Sequence, residues 1–230
     1  MSFIVIEGLD GSGKSTQVKL LQKFLADNKI KYKYIHFPRT EDGIYGDLVA
    51  RFLRGEFGNI DDVHPYLVSL IYAGDRKDAA QQLLKWQEEG YLLLVDRYVC
   101  SNIAFQGAKL NTNKEKQELA EWINNLEYKY NKIPKPDLNI FLDVPFDFTR
   151  KKLKEERTGD ERDYLKGKKD IHEADLDFQL RVKEMYLWQA VNYPGFSIID
   201  CKGNDNSMLT PDEIFEKIVN SIKFIPELKK

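Results

Sequence analysis

The stretch Phe3-Ile-Val-Ile-Glu-Gly-Leu-Asp-Gly-Ser-Gly-Lys-Ser-Thr16 decides the fold. Five residues, FIVIE at 3–7, read as a buried strand. QVKLLQKFLADNK follows with apolar residues at Val18, Leu21 and Leu25, the spacing of one helical face. Between them Gly8 to Ser15 fits G-x-x-x-x-G-K-[ST]. A glycine-rich turn from strand to helix aims backbone N–H groups inward and joins them to the positive end of the helix, which makes a phosphate cradle. Gly8, Leu9, Asp10, Gly11, Ser12, Gly13, Lys14, Ser15 and Thr16 are therefore the candidate phosphate-binding residues. Lys14 reaches the β- and γ-phosphates, and the Ser15 hydroxyl is a candidate ligand for magnesium.

Four more segments read as strands covered on both faces: 32–37, 91–96, 138–144 and 196–200. Helical patterns lie between them at about 43–54, 61–89, 114–129, 146–157, 174–191 and 211–224. Thr210-Pro211 with Glu213 marks the last helix start. Alternation of this kind predicts an α/β fold with a five-stranded parallel sheet flanked by helices, in one domain spanning 1–230. Ligands then gather beyond the carboxyl ends of the strands. Arg39 lies just past the second strand, and Asp96-Arg97 end the third. Two guanidiniums there suit bidentate capture of an acceptor phosphate. Tyr72 and Arg76, one helical turn apart, suit stacking on a base and donating to its carbonyl.

Charged residues make up 31% of the chain but nearly cancel to −2, which argues against general nucleic-acid binding. No apolar run is long enough to cross a membrane. The two cysteines, Cys100 and Cys201, show no metal or disulfide spacing and read as reduced thiols of a cytoplasmic protein. His36, His64 and His172 read as structural. A guanine-reading N-K-x-D motif is missing after the Asn-Lys pairs at 28, 113 and 131, so a GTPase-type switch is disfavoured. The segment from Arg150 to Lys169 holds nine basic and five acidic residues, either a solvated face or a cationic flap.

With FIVIEGLDGSGKST are found HFPR (36–39), AGDR (73–76), DRYVCSNIAFQGA (96–108) and PKPDLNIFLDV (134–144). On these motifs the chain resembles thymidylate kinases, within the P-loop nucleoside-monophosphate kinases. The resemblance implies ATP-dependent phosphorylation of dTMP to dTDP with magnesium, and a homodimer. It implies that Arg39 and Arg97 clamp the acceptor phosphate and Tyr72 stacks on thymine. Arg76 and Asn102 then meet the base edge, with Ser101 also on the dTMP side. Asp10 approaches the sugar hydroxyl or the magnesium shell, and Asp96 lies near magnesium and the phosphates, partly through water. Phe105 and Gln106 form the wall at the sugar, and about 150–173 form a short basic lid over ATP. Some family members carry an arginine at the position of Gly11. Its replacement here turns attention to Arg157 and Arg162 of the lid as catalytic beside Lys14, Asp96 and Arg97, while Arg150 is an alternative contact for adenine. Other readings are a kinase of another nucleoside monophosphate or of a deoxynucleoside, or a non-catalytic nucleotide-binding regulator.

Overall fold

The computed structural model describes residues 2–154, 160–168, 170–223 and 225–226, apart from the side chains of 154, 160–162 and 174. Strands β1 (Phe3–Gly8), β2 (Tyr32–His36), β3 (Leu92–Asp96), β4 (Leu138–Asp143) and β5 (Phe196–Asp200) form one parallel sheet in the order β2-β3-β1-β4-β5. The chain leaves β1 to build one half of the sheet and returns to its other side with β4. The carboxyl end of β1 is thus the switch point where a ligand crevice forms.

Side chains alternate across the sheet. Ile4 and Ile6 face α1 (Lys14–Asp27) and α9 (Pro211–Ile222), joining Val18, Leu21, Leu25, Ile214, Ile218 and Ile222 in one apolar layer. Burial of each such side chain contributes about 1.5–3 kcal/mol. The start of α9 carries a reciprocal cap: the Glu213 amide donates to Thr210 Oγ1 and the Thr210 amide to the Glu213 carboxylate. Phe3 and Val5 face the opposite layer of α3 (Pro65–Glu88), α4 (Val99–Gly107), α5 (Asn113–Asn124) and α8 (Leu176–Asn192). Helix α2 (Gly43–Leu53) packs on α3 through Val49, Phe52, Leu53 and Val68. Gly46 permits its close approach to the loop after β2, since a Cβ there would lie 2.1 Å from the Arg39 carbonyl oxygen.

Several details differ from the sequence pattern. Helix α4 has no counterpart in it, because eight of its nine residues are buried and no polar face produces a period. Strands β2 and β5 are only partly covered: they are the sheet edges, and Ile198 is exposed. Helix α3 starts at Pro65 rather than 61, with His64 as its cap. The pattern at 114–129 divides into α5 and a π-helical turn, Asn125–Tyr130, and that at 174–191 is preceded by the short α7 (Ile171–Ala174). The second half of helix α6 (Phe146–Lys154) and a 3-10 turn, Asp160–Leu165, fall within the expected lid. Among the described residues no helix is long and apolar enough to cross a membrane.

Candidate active site

The loop after β1 turns through Gly11 and Gly13, both at positive φ (72° and 83°), a conformation glycine adopts without strain. Gly8 is required for a different reason. A Cβ there would stand 2.7 Å from Ser12 Oγ and against the Lys14 side chain. The buried Lys14 ammonium donates to the Leu9 carbonyl at 3.1 Å. Burial, with help from Arg97, lowers its pKa to about 8, against the pull of Asp96, Asp10 and Glu7. Ser15 and Thr16 are exposed at the start of α1, and Ser12 Oγ is buried without a partner.

At the end of β3, Arg97 has φ 65°, a left-handed conformation that costs about 1–3 kcal/mol away from glycine. Its environment holds it there: the amide donates to Ile6, Nη2 donates to Asp10 at 2.7 Å, and Nη1 donates to Ser101 Oγ at 3.2 Å. The guanidinium stands 5.1 Å from the Phe105 ring centre. Ser101 and Tyr186 in turn donate to the fully buried Glu7, at 2.5 and 2.9 Å. Burial raises the Glu7 pKa in spite of these donors. Burial would also raise Asp10, but Arg97 and Lys14 outweigh it and hold the carboxyl at about 2. Asp96 behaves alike: its burial is overcome by His36, 3.3 Å away, and by Lys14 and Arg97, so its pKa falls. Asp96 Oδ1 remains buried with no partner.

Arg39 is held by Asp75 of α3, donating from its amide, Nε and Nη2, and reaches Asp42 at 3.4 Å. Arg76 is buried against Glu127 of the π-helical turn, donating from Nε and Nη2 to the carboxylate. Asn102 donates to the same carboxylate and to the Ser69 carbonyl. Tyr72 is half-buried beside Val49, Phe52 and Val68. Gln106 is fully buried with both amide atoms unpartnered, and Asn102 Oδ1 and Ser69 Oγ also lack partners.

From the lid side, Gln179 donates to Asp10 at 3.0 Å and to the His172 carbonyl at 2.8 Å. The His172 ring packs against Phe105, Phe178 and Phe52. Burial, aided by Lys109, lowers its pKa to about 3, so the ring is neutral. Arg150 pairs with Asp147 on α6. Arg157 and the Arg162 side chain lie outside the described residues.

The fold therefore joins Lys14, Asp10, Asp96, Arg97 and Ser101 in one cluster, with Phe105 against it. Arg76 of α3 and Asn102, the neighbour of Ser101 on α4, meet at Glu127. Glu7, Asp75, Glu127, His172, Gln179 and Tyr186 are site residues that the sequence reading assigned no part in the site. Glu7 adjoins the loop motif and was open to inspection; the others come from distant segments without a shared spacing.

The thymidylate kinase family model matches residues 6–207. A probable thymidylate kinase of Pyrobaculum aerophilum is 30% identical over 232 residues, covering 100% of both chains. The thymidylate kinase of Plasmodium falciparum is 33% identical over 62% of this chain and 61% of its own. Among solved structures, a thymidylate kinase from Candida albicans superposes with a TM-score of 0.72 at 26% identity, covering 99% of this chain and 93% of that one.

Proposed function

This chain belongs to the thymidylate kinase family and transfers a phosphoryl group from ATP to dTMP, giving dTDP; we propose that the cluster around Arg97 is where donor and acceptor phosphates meet. The observation that carries the assignment is the 2.7 Å contact of Arg97 with Asp10. It ties the phosphate loop to the end of β3 and brings a guanidinium and the Lys14 ammonium into one buried field.

Residues Gly8 to Thr16 hold the phosphates of ATP, with Lys14 on the transferring end. Arg97 and Arg39 hold the dTMP phosphate, and Ser101 supports Arg97. Tyr72 lies on the base, Arg76 and Asn102 at its edge, and Phe105 and Gln106 at the sugar. Asp10 stands between the two substrates. An oxygen of the dTMP phosphate attacks the γ-phosphorus as the bond to the β,γ-bridging oxygen breaks, and the electron pair leaves with ADP. Positioning and charge stabilisation supply most of the rate in such a transfer. In the lid, 150–173, Arg157 or Arg162 supplies the cation that some family members carry at the position of Gly11.

Magnesium fits the donor set. Asp96 offers a buried oxygen without a partner and Ser15 an exposed hydroxyl, while no group of three or more His, Cys, Asp or Glu forms a closed cage among the described residues. That suits an ion held largely by phosphates and water, and when bound it spreads the charge of the β- and γ-phosphates. Ile44 of α2 and Leu67 and Leu70 of α3 are exposed, which supports a homodimer packed through these helices. ADP release from ATP and magnesium, followed with and without each nucleoside monophosphate, tests the assignment. Release is expected with dTMP and dUMP; faster release with GMP than with dTMP overturns it.

A further inference from the structure

We propose that Glu127 makes this enzyme select pyrimidines whose N3 carries a hydrogen, by fixing which atom of the Asn102 amide the base meets. The inference rests on the placement of Asn102 and Arg76 at the base edge. An asparagine side chain offers an acceptor on one side and two donors on the other, and its neighbours decide which way it turns. Here the neighbours are both acceptors. Asn102 Nδ2 stands 3.2 Å from the Ser69 carbonyl and 3.3 Å from Glu127 Oε1. The nitrogen is therefore committed, and the atom that remains is Oδ1, a buried acceptor without a partner.

A buried acceptor left unpaired is costly, and a substrate that supplies the missing donor is favoured accordingly. Thymine and uracil present N3–H at the edge. Cytosine presents a lone pair at N3 and an amino group at C4, which oppose Asn102 Oδ1 and the Arg76 cation respectively. Glu127 acts on both readers, because the same carboxylate takes Nε and Nη2 of Arg76. It is a positioning residue. The π-helical turn explains how it gets there: Asn131 N donates to Leu126 O, five residues back. The turn follows directly on α5 and places Glu127 at zero exposure against α3 and α4.

The test compares kcat/KM for dTMP and dCMP in the parent, in Glu127→Gln and in the double variant Glu127→Gln with Asn102→Asp. The single change leaves one amide oxygen, for which Asn102 competes with Arg76, and adds an NH2 that can turn toward Asn102 Oδ1, so the carboxylate no longer fixes the Asn102 amide. It should lower the dTMP:dCMP ratio by about tenfold or more, through KM for dTMP, while KM for ATP stays as in the parent. The double variant exchanges amide and carboxylate. Its new carboxylate accepts from the introduced amide and still offers an oxygen to N3–H, but its other oxygen faces the Ser69 carbonyl that took the Asn102 amide, so the ratio should recover in part. An unchanged ratio in a folded single variant overturns the proposal. If the single variant does not fold, the double variant decides: a ratio that still favours dTMP supports the proposal and one that does not overturns it. A parent that uses dCMP as well as dTMP also overturns it, with phosphoryl transfer intact. A parent that uses neither overturns the assignment beneath it.

Discussion

The proposed donor cradle and acceptor wall are built from different materials. The proposed cradle is nine consecutive residues, a loop that turns through Gly11 and Gly13 at positive φ and would bind through its backbone amides. The proposed wall is made of side chains from the loop after β3, α3, α4 and the π-helical turn, where Arg76 and Glu127 form a buried ion pair. A backbone site is fixed once its turn is fixed, whereas a side-chain site depends on every neighbour that orients its members. Damage to the cradle should act on the transferring phosphates and the chemical step, and damage to the wall on affinity and choice of the acceptor.

The largest effect expected belongs to the one side chain that completes the cradle. Lys14→Ala should reduce kcat by about 10²–10³, the scale for loss of a preorganised electrostatic donor. A variant that keeps its turnover would place the transferring phosphoryl elsewhere. Next is Gly8→Ala, whose methyl group enters the space of Ser12 Oγ and Lys14. Strain of about 1–3 kcal/mol should cut kcat/KM for ATP roughly tenfold to a hundredfold while dTMP affinity, read by calorimetry, stays within about twofold. Equal losses for both substrates would erase the contrast between the two regions.

On the wall, Arg97→Lys keeps the charge but loses the fork that reaches Asp10 and Ser101 together. KM for dTMP should rise about tenfold, with a smaller change for ATP. Steady-state kinetics with each substrate varied separates the two.

The smallest effect is a pH dependence of stability at the lid. Burial, with Asp10 and Glu173 adding to it, raises Asp170 to about 7 from the ordinary 3.8, while Tyr164 and the His172 amide donate to it. The native state thus keeps a proton that the unfolded chain releases above about pH 4. Stability from this group is complete below that pH and is lost as pH rises through 7. Asp170→Asn should melt a few degrees above the parent at pH 8, with the difference shrinking toward pH 4. A constant difference across that range would mean that Asp170 does not titrate in this way.

The same contrast explains what could be read from the chain alone. The strand-to-helix loop of the proposed cradle was legible because its residues are contiguous and its glycines and lysine have fixed spacing. The sheet was legible because five short apolar runs alternate with helical periods. Helix α4 was not, since a helix buried on all sides has no polar face to mark its turns. Nor were Glu127, Asp75 and Tyr186, whose partners are 51, 36 and 179 positions away in sequence. His172 read as structural, and its packing against Phe105 emerges only when the end of the 150–173 segment packs onto α4.

A structure with a non-hydrolysable ATP analogue, magnesium and dTMP bound together tests the central claim most directly. The account predicts the terminal phosphate of the analogue on Lys14 and the dTMP phosphate on Arg97, facing each other in line beside Asp10. A dTMP phosphate seated away from Arg97, with no straight path to the terminal phosphate, would contradict it.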